Sequence, residues 1–284
     1  MIQDSDFNVA NDTSVKKRPL LSVVVITYNE ATRLAKCLNS IQTLADEIVI
    51  VDSGSQDGTV DIARRFTDRV IVTDNWPGYG PQKQRALAAA HGQWVLSLDA
   101  DEQISPALAM EIRAVMETGT ADGYFLPRLT TICGKPVRHG GWFPDYVLRL
   151  VQRKHAFFTD DVVHERLCVR SDRSDPLRLE KVLPRLREPI LHVSYASLDQ
   201  LLEKMNRYTT LGAEKLKQRG VKGGVFRGLY KGLAAFLRSF VFKRGFLDGG
   251  LGVIVALSSA ESAYYKYVKL AYLYRDTENE KNTE

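Results

Sequence analysis

The chain has 284 residues, 44% of them hydrophobic and 26% charged. That composition excludes a wholly disordered or collagen-like chain, and the length suits one large domain or a domain with an appendage. The net charge of +5 calls for an anionic partner, and the location of the basic residues matters more than their number. Three scattered cysteines, Cys37, Cys133 and Cys168, supply neither a disulfide framework nor a zinc knuckle and point to a reducing compartment.

Residues 1–19 are polar and read as a flexible leader without a secretory signal. The β-branched run LLSVVVITYNE predicts a strand buried on both faces. Leu34, Cys37, Leu38 and Ile41 then mark one face of a helix. EIVIVDSGSQDGT predicts a second buried strand and a turn, with Asp57 as N-cap of a helix through Ile62 and Phe66. RVIVTD reads as a third strand, QKQRALAAAHG as a helix closed by Gly92, and QWVLSLDADE as a fourth strand. Ser105-Pro106 supplies the N-cap and first position of a helix through Met116. Irregular short strands follow from about residue 122, and a helical pattern begins at Ser197. The longest apolar stretch, 249–260, is too short to cross a membrane.

Strands alternating with helices predict an α/β fold with a mostly parallel sheet, whose ligands bind beyond the carboxyl ends of the strands. Three polar clusters fall at those ends: residues 27–30, 52–55 and 99–102. Asp99 and Asp101, one residue apart on a turn, can share a divalent cation and a ribose hydroxyl; Mg²⁺ or Mn²⁺ favours such oxygen ligands together with substrate phosphates. A DxD tripeptide is common on solvated loops, but its place at a strand end beside two other clusters favours function. Asp52 can accept the N3–H of uracil, although a turn rich in Asp, Ser and Gly is also common. Trp142 and His139, in RHGGWFPD, can pack on a sugar ring.

TYNE, VDSGSQDGT and LDADE, in that order and spacing, resemble family 2 glycosyltransferases of the GT-A fold. GYGPQKQRALAAAHGQWVLSLDADE, with HGGW, VVHERL and ILHVSYASL, is similar to the lipopolysaccharide-core β-glucosyltransferases, which add glucose to an inner-core heptose. The resemblance implies a UDP-sugar donor, with Thr27, Tyr28 and Glu30 lining the nucleoside pocket and Asp52 on the uracil. Lys83 would face the diphosphate and Asp99 the ribose. Asp101 would hold the metal, with His192 either completing that site or serving as a structural residue. Gln84 stands where many relatives have Asn. The resemblance also implies one base for an inverting transfer. Glu165 fits its position best, with Asp161 as the alternative and Asp160 in the same run.

The implied organisation is a leader (1–19), a GT-A domain (20–196), a helical membrane-associating region (197–276) and a polar tail (277–284). Residues 215–244 hold nine Lys or Arg and no Asp or Glu. As a helix, 225–242 sets Arg227, Lys231 and Arg238 on one side, opposite Phe226, Leu229, Leu233, Phe236, Leu237 and Phe240. Such a helix either lies in an anionic membrane interface or packs its apolar face on the catalytic domain. Gly223, Gly224, Gly228 and Gly232 would weaken it in isolation. These features suit a lipid-linked glycan acceptor and a place on the cytoplasmic face of the inner membrane. They do not suit a nucleic-acid binder, which would interleave basic residues with exposed stacking aromatics. Transfer to a polyprenyl phosphate, capsule or O-antigen acceptor, transfer from a GDP-sugar, and a noncatalytic peripheral membrane protein are the alternatives.

Overall fold

A computed structural model describes residues 20–160, 165–170 and 183–281, with side chains through Tyr274. The expected leader and the alternative base Asp161 lie outside the described residues. The strands are β1 (Leu21–Thr27), β2 (Glu47–Asp52), β3 (Val70–Val72), β4 (Trp94–Asp99), β5 (Glu102–Gln103), β6 (Gly123–Ile132), β7 (Lys135–Pro136), β8 (Asp145–Gln152), β9 (Ala156–Phe158), β10 (Leu167–Val169) and β11 (Ile190–Tyr195). The helices are α1 (Ala31–Ile41), α2 (Thr59–Arg64), α3 (Tyr79–Ala89), α4 (Pro106–Thr118), α5 (Leu198–Gln218), α6 (Val225–Leu237) and α7 (Gly250–Lys281).

The main sheet runs β3-β2-β1-β4-β8-β6-β11-β5, with β7 paired to β6. Its first four strands are parallel, as expected from the βαβ pattern. The second half is mixed: β8 is antiparallel to both β4 and β6, while β11 runs parallel to β6. The β-branched runs of β1 and β2 are buried because helices cover both faces of this half. One core layer joins Val23, Val25, Ile50, Leu96 and Leu98 to α1 and α4. The other joins Val24, Val49, Val51 and Val95 to Ala86 and Leu87 of α3. In register, Thr27 pairs with Asp52 and Ile26 with Asp99, so the three polar clusters are brought side by side.

Ser105 caps α4 as expected, its hydroxyl accepting from the Leu108 N–H at 3.1 Å. Asp57 does not cap α2, because Gly58 takes that position with φ of 86°, a left-handed conformation glycine adopts without a Cβ clash. The Asp57 carboxylate instead accepts the N–H groups of Thr59 and Ala31, tying the second strand-end turn to the start of α1. The third predicted helix starts at Tyr79 and ends at Ala89, short of the expected Gly92. Helix α7 continues to Lys281, past the boundary expected at 276. Among the described residues, no helix is long and apolar enough to cross a membrane.

Candidate active site

A cavity of about 1470 Å³ opens at the carboxyl ends of β1 and β4, where the parallel half of the sheet meets the mixed half. Thr27, Tyr28, Glu30, Lys83, Asp99, Asp101, Glu165 and His192 all line it. Residues from β1 to β11 thus converge on one space, as the strand-end clusters predicted.

Asp52 stands behind this wall. It is fully buried and is not among the cavity-lining residues. One oxygen accepts the Gly54 and Ser55 N–H groups at 3.0 and 2.7 Å; the other accepts the Thr27 and Ser55 hydroxyls at 2.7 and 2.6 Å. Those four bonds fill the acceptor capacity of a carboxylate. Asp52 therefore orders the turn from inside, and the expected uracil contact is not what this arrangement presents. Thr27 and Ser53 face the cavity in its place.

Lys83 is 7% exposed, and its ammonium sits 2.9 Å from both Asp99 Oδ1 and Glu165 Oε1. Burial alone would pull this lysine down, but Asp99 and Glu165 outweigh burial and Arg149 and raise it, so it stays charged. The cation expected to face a diphosphate thus already bridges Asp99, expected on the ribose, and Glu165, expected as the base. Its neighbour Gln84 turns toward the strands instead. Gln84 Oε1 accepts the Phe158 N–H at 2.8 Å and pins β9 against α3. Because β9 pairs with β10, this anchors the strand that directly follows Glu165 and Arg166.

Behind Asp99 lies a charged group that sequence reasoning missed. Arg149 of β8 is 6% exposed and donates from Nη2 to Asp99 Oδ2 at 2.5 Å and to Glu102 Oε1 at 2.7 Å. Glu102 is fully buried, and its other oxygen accepts the Asp99 N–H at 3.0 Å. Burial would raise Asp99, but Arg149 and Lys83 hold its carboxyl well below the usual range. Burial pushes Glu102 up, opposed by Arg149. The available signal was an arginine placed between apolar residues in DYVLRLVQ, where a buried strand demands that a charge be paired.

Asp101 and His192 meet on the far side of the turn, with Asp101 Oδ2 3.3 Å from His192 Nε2. The Asp101 carbonyl accepts the Val193 N–H at 2.9 Å, which fixes β11 beside the turn. A carboxylate oxygen and an imidazole nitrogen at a cavity wall are a donor set that fits Mn²⁺ or Mg²⁺, provided substrate oxygens complete the shell. Among the described residues, no group of three or more His, Cys, Asp or Glu side chains could hold a metal unaided.

The expected acceptor residues lie apart from the main cavity. His139 is held by Asp248, with Nδ1 2.6 Å from Oδ1 and the His139 N–H donating to Oδ2 at 2.8 Å. It fastens its loop to Asp248, just before the last helix. Trp142 packs near Tyr195 and lines a smaller cavity of about 260 Å³, which shares Lys204 and Tyr208 with the main one. Helix α5 contributes Lys204, Arg207, Tyr208 and Lys215 to the main cavity, opposite the sheet, and none of these was singled out from the sequence. Burial pulls Lys204 down, as do nearby Arg128, Arg207 and Arg33, while Asp101 opposes them.

The model of the family described as "Glycosyl transferase family 2" matches residues 22–167. The chain belongs to glycosyl transferase family 2. An uncharacterized glycosyltransferase of Rickettsia conorii is 30% identical over 256 residues, covering 88% of this chain and 89% of the relative. The lipopolysaccharide core biosynthesis glycosyltransferase LpsC of Rhizobium meliloti is 29% identical over 268 residues, covering 90% of this chain and 93% of LpsC. Among solved structures, S. aureus TarS 1–349 in complex with UDP-GlcNAc is similar at 17% identity and a TM-score of 0.47, over 91% of this chain and 92% of that one. Glucosyl-3-phosphoglycerate synthase from Mycobacterium tuberculosis, solved with Mn²⁺ and UDP, is similar at 26% identity and a TM-score of 0.34, over 40% and 44%. This protein is a glycosyltransferase with a mixed α/β, GT-A-like catalytic fold and a helical C-terminal region.

Proposed function

We propose that this transferase moves glucose from UDP-glucose onto the inner-core heptose of lipopolysaccharide, with inversion to a β-linkage. The observation that carries the reading is the convergence of Asp99, Asp101, His192, Lys83 and Glu165 on one cavity. The likeness to LpsC, named for lipopolysaccharide core biosynthesis, supports the acceptor class.

In this reading the nucleoside lies against Thr27, Tyr28 and Ser53, over the turn that Asp52 orders, with Glu30 at its edge. Asp99, aligned by Arg149 and Lys83, receives the ribose. Asp101 and His192 hold the divalent cation, which when bound neutralises charge on the diphosphate. Lys83 adds positive charge on the same side. Glu165 takes the proton of the acceptor hydroxyl as its oxygen bonds to the anomeric carbon. The bond from that carbon to the diphosphate oxygen breaks on the opposite face, so an α-linked donor gives a β-linked product. The acceptor enters beneath α5, past Tyr208 and Trp142. Its lipid moiety places the enzyme on the anionic cytoplasmic face of the inner membrane.

Arg128, Lys204 and Arg207 on the cavity wall favour a second reading, in which the acceptor is a phosphate-bearing lipid such as a polyprenyl phosphate. Purified protein assayed with a panel of UDP- and GDP-sugars separates the two. Transfer from UDP-glucose to a heptose-terminated core acceptor supports the first. Transfer to polyprenyl phosphate with no transfer to any core acceptor overturns it.

A further inference from the structure

Helix α6 is packed the opposite way from an ordinary amphipathic helix, which buries its large apolar side chains. Its buried positions are Gly228 and Gly232. A Cβ at Gly228 would meet the Tyr264 carbonyl oxygen at 3.0 Å, and one at Gly232 the Ala260 carbonyl oxygen at 3.0 Å. Just before the helix, a Cβ at Gly223 would fall 2.3 Å from the Ala271 nitrogen. These glycines form the seam against α7 and allow the two backbones to approach closely. They are a packing device, not merely a source of helix weakness.

With the small face turned inward, the large side chains point out. Phe226 is 87% exposed, Tyr230 68%, Leu233 61% and Leu229 54%. Their spacing of three and four residues places them on one stripe. Phe242, 78% exposed, ends the short π-helical turn Arg238–Phe242 that follows. Phe236 and Phe240, expected on the same stripe, instead stack on each other at 5.4 Å and are half-buried. The alternative of an apolar face packed on the catalytic domain is therefore not what the structure contains.

We infer that the outward stripe of α6, together with Phe242, inserts into an anionic lipid leaflet and holds the enzyme there. The occupant follows from charge. The stripe lies within residues 215–244, which hold nine basic residues and no Asp or Glu. A second copy of the same surface would repel, whereas an anionic headgroup layer over an apolar interior matches both properties. The turn is also fixed to the catalytic domain. Gly140 donates to the Lys243 carbonyl at 2.9 Å, and Ser239 Oγ donates to the Gly140 carbonyl at 3.0 Å. Insertion therefore orients the Trp142 side of the molecule. The purpose of this docking rests on the lipid-linked acceptor proposed above; its geometry does not.

The test is flotation of the full chain with phosphatidylglycerol-containing vesicles, compared with pure phosphatidylcholine vesicles. The wild type should float with the former, less at high salt, and not with the latter. Phe226→Ser/Leu233→Ser/Phe242→Ser should lower binding by at least about tenfold, and Arg227→Glu/Lys231→Glu should also weaken it. All these positions are exposed, and unchanged UDP affinity verifies the fold of each variant. A wild type that stays unbound at low salt, or a serine variant that floats equally well, overturns the inference. So does a wild-type dimer that fails to float and that the serine changes dissociate. Transfer to a soluble, deacylated core acceptor tests the reaction separately. Flotation without transfer sinks the reaction reading alone, and transfer without flotation sinks the docking alone.

Discussion

Replacing Arg149 by Met tests the charged group behind the site. The variant keeps most of the side-chain volume and leaves Asp99 and Glu102 buried without their shared cation. Removing one partner of a buried ion pair costs roughly 3–5 kcal/mol. The Asp99 side chain is 30% exposed, so solvent screens part of its loss, and the expected cost lies near the lower end, about 3 kcal/mol. The pH dependence has a definite sign. In the wild type, Asp99 is depressed, so its contribution is present above its unfolded pKa and is lost only as pH falls toward the lower folded value. Without Arg149, the folded pKa values of Asp99 and Glu102 both move upward. A carboxylate raised in the folded state destabilises at high pH and is relieved as acid protonates it. The stability gap between variant and wild type should therefore narrow as pH falls through the raised folded pKa of Glu102. Urea unfolding followed by tryptophan fluorescence measures it, with buried Trp94 as a reporter. Adding Glu102→Gln should recover part of the loss, since one buried charge is then removed. A cost under about 1 kcal/mol, or a gap that does not narrow with acid, would refute the reasoning.

Three further outcomes are expected. Glu165→Gln should leave UDP binding nearly intact and reduce turnover by about 10²-fold or more; normal turnover in that variant, with loss in Asp161→Asn, moves the base to Asp161. UDP should bind more tightly with Mg²⁺ or Mn²⁺ than with chelator, and Asp101→Asn should abolish the difference; equal calorimetric affinity for the wild type in both conditions removes the metal from the site. Gly232→Leu should force α6 away from α7 at a cost of about 1–3 kcal/mol, read as faster proteolysis within α6 at unchanged UDP affinity. Protection equal to wild type would mean that the seam is not closely packed.

The parallel half of the sheet was legible because local sequence specifies it. Continuous β-branched runs mark β1 and β2, and each ends in a polar turn, so the position of Asp99 and Asp101 at a strand end follows from chain order alone. The mixed half was not. Strand β6 is buried along most of its length with little alternation, and its parallel partner β11 arrives only after β8 and several shorter strands have intervened. Reading residues 122–192 as irregular reflects that nonlocal pairing. His192 and Glu165 nonetheless line the same cavity as Asp99 and Asp101; they were singled out by resemblance and not by periodicity.

Charge partners and helix orientation were hidden for different reasons. Arg149 meets Asp99 and Glu102 across about 50 positions, and no spacing rule connects an arginine on one strand to two carboxylates at the end of its sheet neighbour. The α6 stripe was visible as a period, but a period names a face without naming what covers it. Hydrophobic burial normally decides that question in favour of packing. Here glycines repeated every four residues allow a backbone approach that large side chains would block, so the small face packs and the apolar face is left outside. A helix built this way is stable against its neighbour while exposing the surface that ordinarily drives folding. Such exposure is a liability for a monomer in water. The same segment, residues 215–244, carries nine basic residues and no Asp or Glu, which favours an anionic apolar interface over random association and makes the vesicle experiment the decisive one.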